Sequence, residues 1–483
     1  MSGEQVPITV SGGAGGVAAS YDDLALLGTL YQSVGAALSD AAWDDKLEAA
    51  DGDLVLSAVL APQTFAAAEA AILAATYGPH GLVARAVTIE AQSLAFAAVV
   101  ELYRTADELQ RQVYDAMSYG VGVALGVQLV PVALTGALGY LAVRQASPAR
   151  AADLQQDVVA YLEAHPEVVQ TFVNGGGGLL DGLGLHPVSG PFMHALGLDG
   201  PHPTTGSAAD DLGQLLFGDY SGVAVPTEGD HPYAVPAGIA DLIGDLATTE
   251  AHGDGAISVQ RITGADGDTR WIVHLPGTDD FLDDHAIRNM GANLNLIAGD
   301  DTAYGQAVAK ALEQAAVNPS DPVMMVGHSQ GGMQAAALAA DPGFGYHVTH
   351  VVTAGAPVAT SGIPHDVTVL SLENSADVVP SLDGEDNPAG ARHTTVRADV
   401  RTGSLGAGDG NHGLAVYADI AGAVDASADP SVAAAVTDMR EAVFLGADGV
   451  RETSTMHFRT EIGEQLRRPD IADPASFIRN AAA

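Results

Sequence analysis

The spacing of apolar residues predicts that the first half of the chain is helical. Apolar positions recur every three or four residues in three long stretches, which is the period of an amphipathic helix. These stretches are Ala19 to Ala50, Asp53 to Ser118 and Ala149 to Val173. A run of glycines, 175–178, follows the third stretch and predicts its end.

The second half of the chain shows short apolar runs bounded by Gly, Pro and Asp, which predict strands. Ile257–Ile262 and Arg270–Leu275 are joined by a Gly/Asp-rich turn and predict a β-hairpin. Further buried strands are expected at 323–326, 367–372 and 393–400. We therefore expect a helical domain at 1–200, a linker or covering loop at 201–235, and an α/β catalytic domain at 236–483.

A Gly-x-Ser-x-Gly turn follows the strand at 323–326. Gly327-His328-Ser329-Gln330-Gly331 leads directly into an Ala-rich segment that predicts a helix. A strand, a sharp turn and a helix are the setting of the nucleophile elbow of α/β-hydrolases, in which the serine Oγ is exposed. We predict the α/β-hydrolase fold for this half, a mostly parallel sheet flanked by helices, with Ser329 as the nucleophile.

A serine nucleophile needs a base and an acid that orients the base, and this fold supplies them in the order Ser, acid, His. Asp377 comes just after the strand at 367–372, where catalytic acids of open α/β sheets lie. Nearby Glu373, Asp383 and Asp386 compete for the same role. For the base we prefer His412, which lies in a Gly-rich loop before a helix, over His393 at the start of a strand.

Two backbone N–H groups are expected to stabilise the oxyanion. The first belongs to Gln330, whose N–H opens the helix after the nucleophile and has no intrahelical partner. The second is predicted at Thr278 in the Pro276-Gly277-Thr278 turn that follows the hairpin, with a plain turn as the alternative.

Taken together, these motifs resemble those of the fungal-type (class 3) lipases and their actinobacterial α/β-hydrolase relatives. The resemblance rests on Leu-Pro-Gly-Thr after a strand, Gly-His-Ser-Gln-Gly-Gly, Asp-Val-Val-Pro and a late His-x-x-x-x-Tyr, and covers about residues 235–425. It implies ester hydrolysis through Ser329, Asp377 and His412, with Thr278 and Gln330 at the oxyanion. Pro-Gly-Thr replaces the family's usual Arg-Gly-Thr, and Gln330 replaces its usual Leu, so the substrate cannot be inferred from it.

Composition excludes several other classes of protein. The net charge is −41 and Lys46 and Lys310 are the only lysines, which argues against nucleic-acid or anionic-membrane binding through charge. The absence of cysteine excludes disulfides and thiol chemistry. Residues 1–16 lack the features of a Sec signal peptide, so we expect a cytoplasmic protein, or a secreted or surface protein exported by a non-Sec route.

No cofactor and no metal are expected. The run Asp279-Asp280-Phe281-Leu282-Asp283-Asp284-His285 contains many potential ligands. Hard cations usually need oxygens that converge from more dispersed positions, and carboxylates also offset a helix dipole. We therefore interpret this run as a solvated loop and helix start, with a cation site as the alternative.

Two features of the helical half suggest targeting. Residues 116–143 carry no charge and include five glycines, so they predict either a membrane-inserting segment or a buried helix or helical hairpin broken at Pro131. Tyr103 and Asp107, four residues apart in a helix, resemble the Tyr-x-x-x-Asp/Glu export signal of type VII secretion substrates. The alternative is an ordinary pair on a helix surface.

The sequence leaves three classes of function open. The first is a serine esterase or lipase that acts on an ester or lipid, with a helical module for targeting or assembly. The second is another serine acyl hydrolase or an acyltransferase on the same fold. The third is a secreted or surface interaction protein with a vestigial hydrolase domain, against which the complete Ser, Asp and His set argues.

Overall fold

The computed structural model describes most of the chain in two compact units. The described residues are 6–14, 21–49, 52–146, 166–187, 189–198, 200–227, 232–280, 283, 285–402, 410–446 and 448–467. One unit comprises Ala19–Tyr114, and the other comprises Met1–Ala18 together with Asp115–Ala483. Each unit is described by itself below.

The first unit is helical. It contains α1 (Tyr21–Ala49), α2 (Gly52–Leu60), α3 (Pro62–Tyr77) and the first part of α4 (Leu82–Ala146). Among the described side chains of this unit, the buried positions of α1 and α4 repeat every seven residues and are occupied mainly by small residues, namely Gly28, Gly35 and Ala42 in α1 and Ala86, Ser93 and Val100 in α4. Ser93 Oγ donates to the Gly28 carbonyl oxygen at 2.9 Å across this seam. Small side chains let the two helix backbones approach closely.

The second unit is built on one nine-stranded mixed sheet. Its strands are β1 (Ile8–Gly12), β2 (Asp219–Thr227), β3 (Ala256–Gly264), β4 (Thr269–Leu275), β5 (Pro322–His328), β6 (His347–Ala354), β7 (Thr368–Asn374), β8 (His393–Ala398) and β9 (Val450–Arg467). The order across the sheet is β1-β8-β7-β6-β5-β4-β3-β9-β2. Strands β4 to β8 are parallel, and the pairs at both ends are antiparallel. The predicted hairpin is confirmed as β3 and β4.

The helices of this unit are numbered on from α4. They are α5 (Pro166–Asn174), α6 (Gly176–Leu185), α7 (Gly190–Ala195), α8 (Thr205–Leu216), α9 (Ile239–Glu250), α10 (Met290–Ala298), α11 (Ala303–Gln314), α12 (Gln330–Ala340), α13 (Leu414–Asp425) and α14 (Pro430–Glu441), with a 3-10 helix at Val379–Asp383. Apolar residues of α9, α13 and α14 share one buried cluster with the sheet, and those of α11 and α12 share another. The central strands are therefore covered on both faces, and most of their residues are buried.

The parallel strands place their carboxyl ends at one edge of the sheet. The loops that leave β4, β5 and β7 carry Thr278, Ser329 and Asp377. The loop that leaves β8 leads to His412, just before α13. Ligands and catalytic groups of open α/β sheets lie at this edge.

Several elements differ from the boundaries expected from sequence. Residues 201–235, expected to be a linker, contain α8 and β2, and β1 from the expected helical region pairs with β8. Helix α8 begins with a Thr204/Ser207 capping box, a variant without the usual Glu or Gln. The compact units divide after residue 114, whereas the sequence placed the end of the helical domain near residue 200.

Helix α4 continues through Pro131 without a break, whereas the sequence suggested a hairpin there as one alternative. In its described part, small residues bring α4 against α6. A side-chain carbon on Gly126 would lie 2.2 Å from the Leu179 carbonyl oxygen, and one on Gly178 would lie 2.1 Å from that of Tyr119. These glycines of the uncharged segment thus permit close helix packing within the protein.

Within the described part of the chain, no helix combines the length and the apolar character that a bilayer span requires. The side chains of 128–146 lie outside the described residues, and so do those of Tyr103 and Asp107. Membrane contact through 116–143 and export through Tyr103 and Asp107 therefore stay predictions.

Candidate active site

Ser329 occupies a strained turn between β5 and α12. Its backbone has φ +53° and ψ −123°, a conformation that a non-glycine residue rarely adopts. The turn is packed so tightly that a side-chain carbon on Gly327 would lie 2.3 Å from the Gly331 carbonyl oxygen. One on Gly331 would lie 1.9 Å from that of Leu275. Glycine at both positions allows the sharp turn that leaves Ser329 at the sheet edge.

Asp377 and His412 are brought together at the same edge. His412 Nδ1 lies 2.6 Å from Asp377 Oδ2, and the Val379 N–H donates to Asp377 Oδ1 at 3.0 Å. The Asp377 side chain is 2% exposed and that of His412 is 15% exposed. A buried carboxylate on Nδ1 fixes the tautomer in which Nε2 is free to accept a proton.

Tyr417 is a third member of this group, to which the sequence assigned no role. Its hydroxyl donates to Asp377 Oδ2 at 2.6 Å, and its side chain is fully buried at the start of α13. Burial and the neighbouring Asp377 raise the Tyr417 pKa well above its ordinary value of 10, so the phenol stays a donor. The only signal in the sequence is the Tyr five residues after His412.

The competing carboxylates have other partners. Glu373 Oε2 pairs with Arg397 at 2.6 Å, and Asp386 lies 3.4 Å from the same guanidinium. Asp383 Oδ2 accepts from the Ala359 N–H at 2.7 Å. Each of the three thus has a described partner other than His412.

His393, the rival base, is the first residue of β8 and lies at the end of the strand opposite the carboxyl edge that carries Ser329. Its Nε2 is 3.0 Å from Ser371 Oγ, and burial lowers its pKa to about 4. A buried ring that resists protonation and has a hydroxyl partner elsewhere is a poor general base for Ser329. The geometry therefore favours His412 over His393.

His328, the residue before Ser329, contacts both the backbone and the ring of His412. His328 Nε2 lies 2.9 Å from the His412 carbonyl oxygen, and the two rings are 4.7 Å apart between centroids. Within the described residues, no hydrogen bond joins Ser329 Oγ to His412 Nε2. Such contacts are often long in the absence of substrate and shorten in the reacting complex.

The Pro276–Thr278 turn lies beside Ser329. A side-chain carbon on Gly277 would lie 3.0 Å from Ser329 Cβ. The Thr278 hydroxyl accepts from Asn293 Nδ2 at 3.3 Å. Gln330 opens α12, and its side-chain amide donates to the Asn289 carbonyl oxygen at 2.8 Å. Gln330 therefore follows Ser329 directly in the chain, and Thr278 follows Gly277, the residue that lies against Ser329.

A buried ion pair braces the loop that carries Thr278. Arg288, with a side chain 1% exposed, binds both carboxylate oxygens of Asp279, and Asp279 Oδ2 also accepts from the Gly255 N–H at 3.0 Å. The expectation that Asp279 is a solvated loop carboxylate is thus wrong, because Arg288, nine residues further along the chain, binds and buries it. Among the described residues, no cluster of His, Asp or Glu could hold a metal ion.

Asp383→Asn tests the electrostatics beside the site. Burial raises the Asp383 pKa to about 7 from an ordinary 3.8, so between these pH values the unfolded state is ionised while the folded state resists ionisation. The loss of unfolding free energy that Asp383 causes is therefore absent below pH 3.8, grows between pH 3.8 and pH 7, and is constant above pH 7. We expect the variant to gain on the order of 1–2 kcal/mol of unfolding free energy at pH 8 and little at pH 4. Urea unfolding at both pH values measures this, and an equal gain at both would contradict the assignment.

Comparison with known protein families agrees with this geometry at a coarse level. Residues 286–450 match the PGAP1-like alpha/beta domain. This is a serine-hydrolase-like family with a hydrolase-like fold. The matched region is about a third of the chain and contains Ser329, Asp377 and His412, while Thr278 precedes it. The comparisons give no support to the more specific resemblance to fungal-type lipases. No curated protein and no solved structure shows a significant match to the chain.

Proposed function

We propose that this protein is a serine hydrolase that cleaves carboxylic esters through an acyl-enzyme. The observation that carries the proposal is the strained Ser329 elbow at the sheet edge that also holds the His412–Asp377 pair. Strain of this kind persists only where the surrounding structure imposes it, and it concentrates at active sites. The match to the PGAP1-like alpha/beta domain supports the same class of chemistry.

In the proposed mechanism, Ser329 Oγ attacks the ester carbonyl carbon while His412 Nε2 takes the hydroxyl proton. Asp377 stabilises the imidazolium that forms, and Tyr417 and the Val379 N–H hold Asp377 in place. The N–H groups of Thr278 and Gln330 stabilise the oxyanion, usually the largest single contribution to such catalysis. His412 then protonates the leaving alkoxide, and water activated by His412 releases the acid and restores Ser329.

A burst experiment tests the acyl-enzyme. Rapid mixing with p-nitrophenyl esters of increasing acyl length should release one nitrophenol per protein molecule before the steady rate. Adding a simple alcohol then separates hydrolysis from acyl transfer, since a transferase would convert most of the acyl group into a new ester. The absence of turnover for every ester would favour the vestigial-domain alternative.

The charge of the cleft beside α12 suggests which esters are accepted. A cleft of 840 Å³ runs along α12 from Met333, one turn after Ser329, to its last residue, Ala340, and Ser329 itself does not line it. Five aspartates line it, namely Asp115, Asp300, Asp301, Asp341 and Asp383, and none of the described lining residues is Lys or Arg. Asp383 contributes only part of a charge near neutral pH, because burial raises its pKa to about 7. Because like charge repels an anionic ligand in a confined space, we propose neutral esters as the substrates.

A matched pair of substrates tests this proposal. We expect kcat/KM for p-nitrophenyl succinate, which is anionic, to be at least about 10-fold below that for p-nitrophenyl butyrate, which is neutral and of equal length. Raising the salt concentration should narrow the gap, because salt screens exposed charges. The Asp301→Asn/Asp341→Asn double variant should likewise reduce the difference in kcat/KM between the two esters. Equal rates at low salt would contradict the proposal.

The helical unit 19–114 contains none of the proposed catalytic residues. It exposes large apolar side chains, including Leu26, Leu30 and Leu94. Large exposed apolar surfaces mark interaction sites. We therefore propose a targeting or assembly role for the helical region within 1–200, consistent with the predicted export signal and membrane contact.

A further inference from the structure

His328 makes a contact that the proposed mechanism does not use. Its Nε2 lies 2.9 Å from the carbonyl oxygen of His412. A carbonyl oxygen can only accept, so Nε2 carries the proton and donates it. The two rings also pack at 4.7 Å between centroids with their planes 32° apart. The residue before the nucleophile is thus bonded to the backbone of the proposed base.

The His328 ring is neutral at any working pH. The residue is 5% exposed, and burial together with the neighbouring His412 lowers its pKa to about 3. With the proton on Nε2, its Nδ1 is an acceptor, and this buried atom has no hydrogen-bond partner among the residues that the structure describes. A buried polar atom without a partner costs stability, and such groups call for an explanation. An apolar residue would avoid that cost but could not donate to His412.

His412 lies just before α13 and is held at two points. Asp377 holds only its Nδ1 side. A second bond at the carbonyl oxygen fixes the backbone from which the imidazole projects, and the two anchors together determine where Nε2 points.

We propose that His328 is a positioning residue, which holds the backbone and ring of His412 so that Nε2 is directed at Ser329 Oγ. The inference rests on the proposed function, in which His412 is the base. The neutral ring also matters because a protonated His328 would repel the His412 imidazolium that forms during the reaction. Base positioning of this kind affects the chemical step more than substrate binding.

Two substitutions separate the hydrogen bond from ring packing. His328→Leu removes the donor, whereas His328→Gln keeps an amide N–H near the place of Nε2. We expect His328→Leu to lower kcat by about 10- to 100-fold with KM within about twofold, and His328→Gln to recover most of the loss. His393→Gln, another buried histidine with a lowered pKa, is the matched control and should retain kcat.

A readout without turnover distinguishes failure of this inference from failure of the proposed function. In protein with ¹⁵N-labelled histidine, the His412 ring signals, assigned by their loss in His412→Ala, should broaden or shift in His328→Leu and return in His328→Gln. If Ser329→Ala keeps full activity, the proposed function is wrong, and the ring signals still decide whether His328 positions His412. Unchanged ring signals and kcat in folded His328→Leu, or equal damage from Leu and Gln, would overturn the inference.

Discussion

Replacing Ser329 with alanine is expected to lower kcat for p-nitrophenyl butyrate by roughly 10⁵- to 10⁶-fold. The reason is that no acyl-enzyme can form without Oγ, while the proposed oxyanion donors and the cleft beside α12 remain. KM should change little, since the hydroxyl contributes to bond formation rather than to ground-state binding. Steady-state kinetics on folded variant protein measure both values.

The control for this variant is a thermal unfolding measurement, which shows whether the protein is still folded. Alanine keeps a Cβ at the strained turn, and the glycines on either side are untouched, so the melting temperature should stay close to that of the wild type. Activity equal to that of the wild type would show that Ser329 is not the nucleophile. Combining Ser329→Ala with His412→Ala should add little further loss, because the three groups act as one unit.

The second large effect is expected for His412→Ala, with a loss in kcat of the same order as for Ser329→Ala. His412 is the histidine that contacts the buried Asp377 at the sheet edge. His393→Ala should cost little activity, because His393 lies within β8 and contacts Ser371. Parallel kinetics on the two alanine variants decide between the two bases.

Asp377→Asn tests the acid in the same series. We expect a severe loss, on the order of 10⁴-fold, because an amide favours the wrong imidazole tautomer. Asp386→Asn is the matched control, since Asp386 lies against Arg397 and is largely exposed. A severe loss of kcat with Asp386→Asn and a mild loss with Asp377→Asn would show that Asp377 is not the acid.

The parts of the site that could be predicted from sequence are those set by local patterns. The Gly-x-Ser-x-Gly turn specifies its own geometry, because only glycine fits at 327 and 331. The hairpin and the strand before Asp377 follow from apolar runs and turn residues. The parallel arrangement then brings Ser329, Asp377 and the loop of His412 to one edge, as the order of these residues along the chain suggests.

The remaining features depend on contacts between distant residues. Asp279 looks solvated within an acidic run, yet Arg288 binds it in the buried core. β1 contains only five residues and joins the sheet by pairing with β8, nearly 390 residues away in the chain. The role of Tyr417 emerges only when the turn of α13 brings its hydroxyl to Asp377. No local period or motif encodes the partners of Asp279 and β1, and the His-x-x-x-x-Tyr motif contains Tyr417 without indicating that it binds Asp377.

The most direct test of the central claim is to locate the covalent adduct formed with a fluorophosphonate. We predict a single adduct on Ser329 by peptide mass spectrometry, formed far more slowly in His412→Ala and absent in Ser329→Ala. An adduct on another residue of the wild-type protein, or none on folded and soluble protein, would contradict the assignment of Ser329 as the nucleophile.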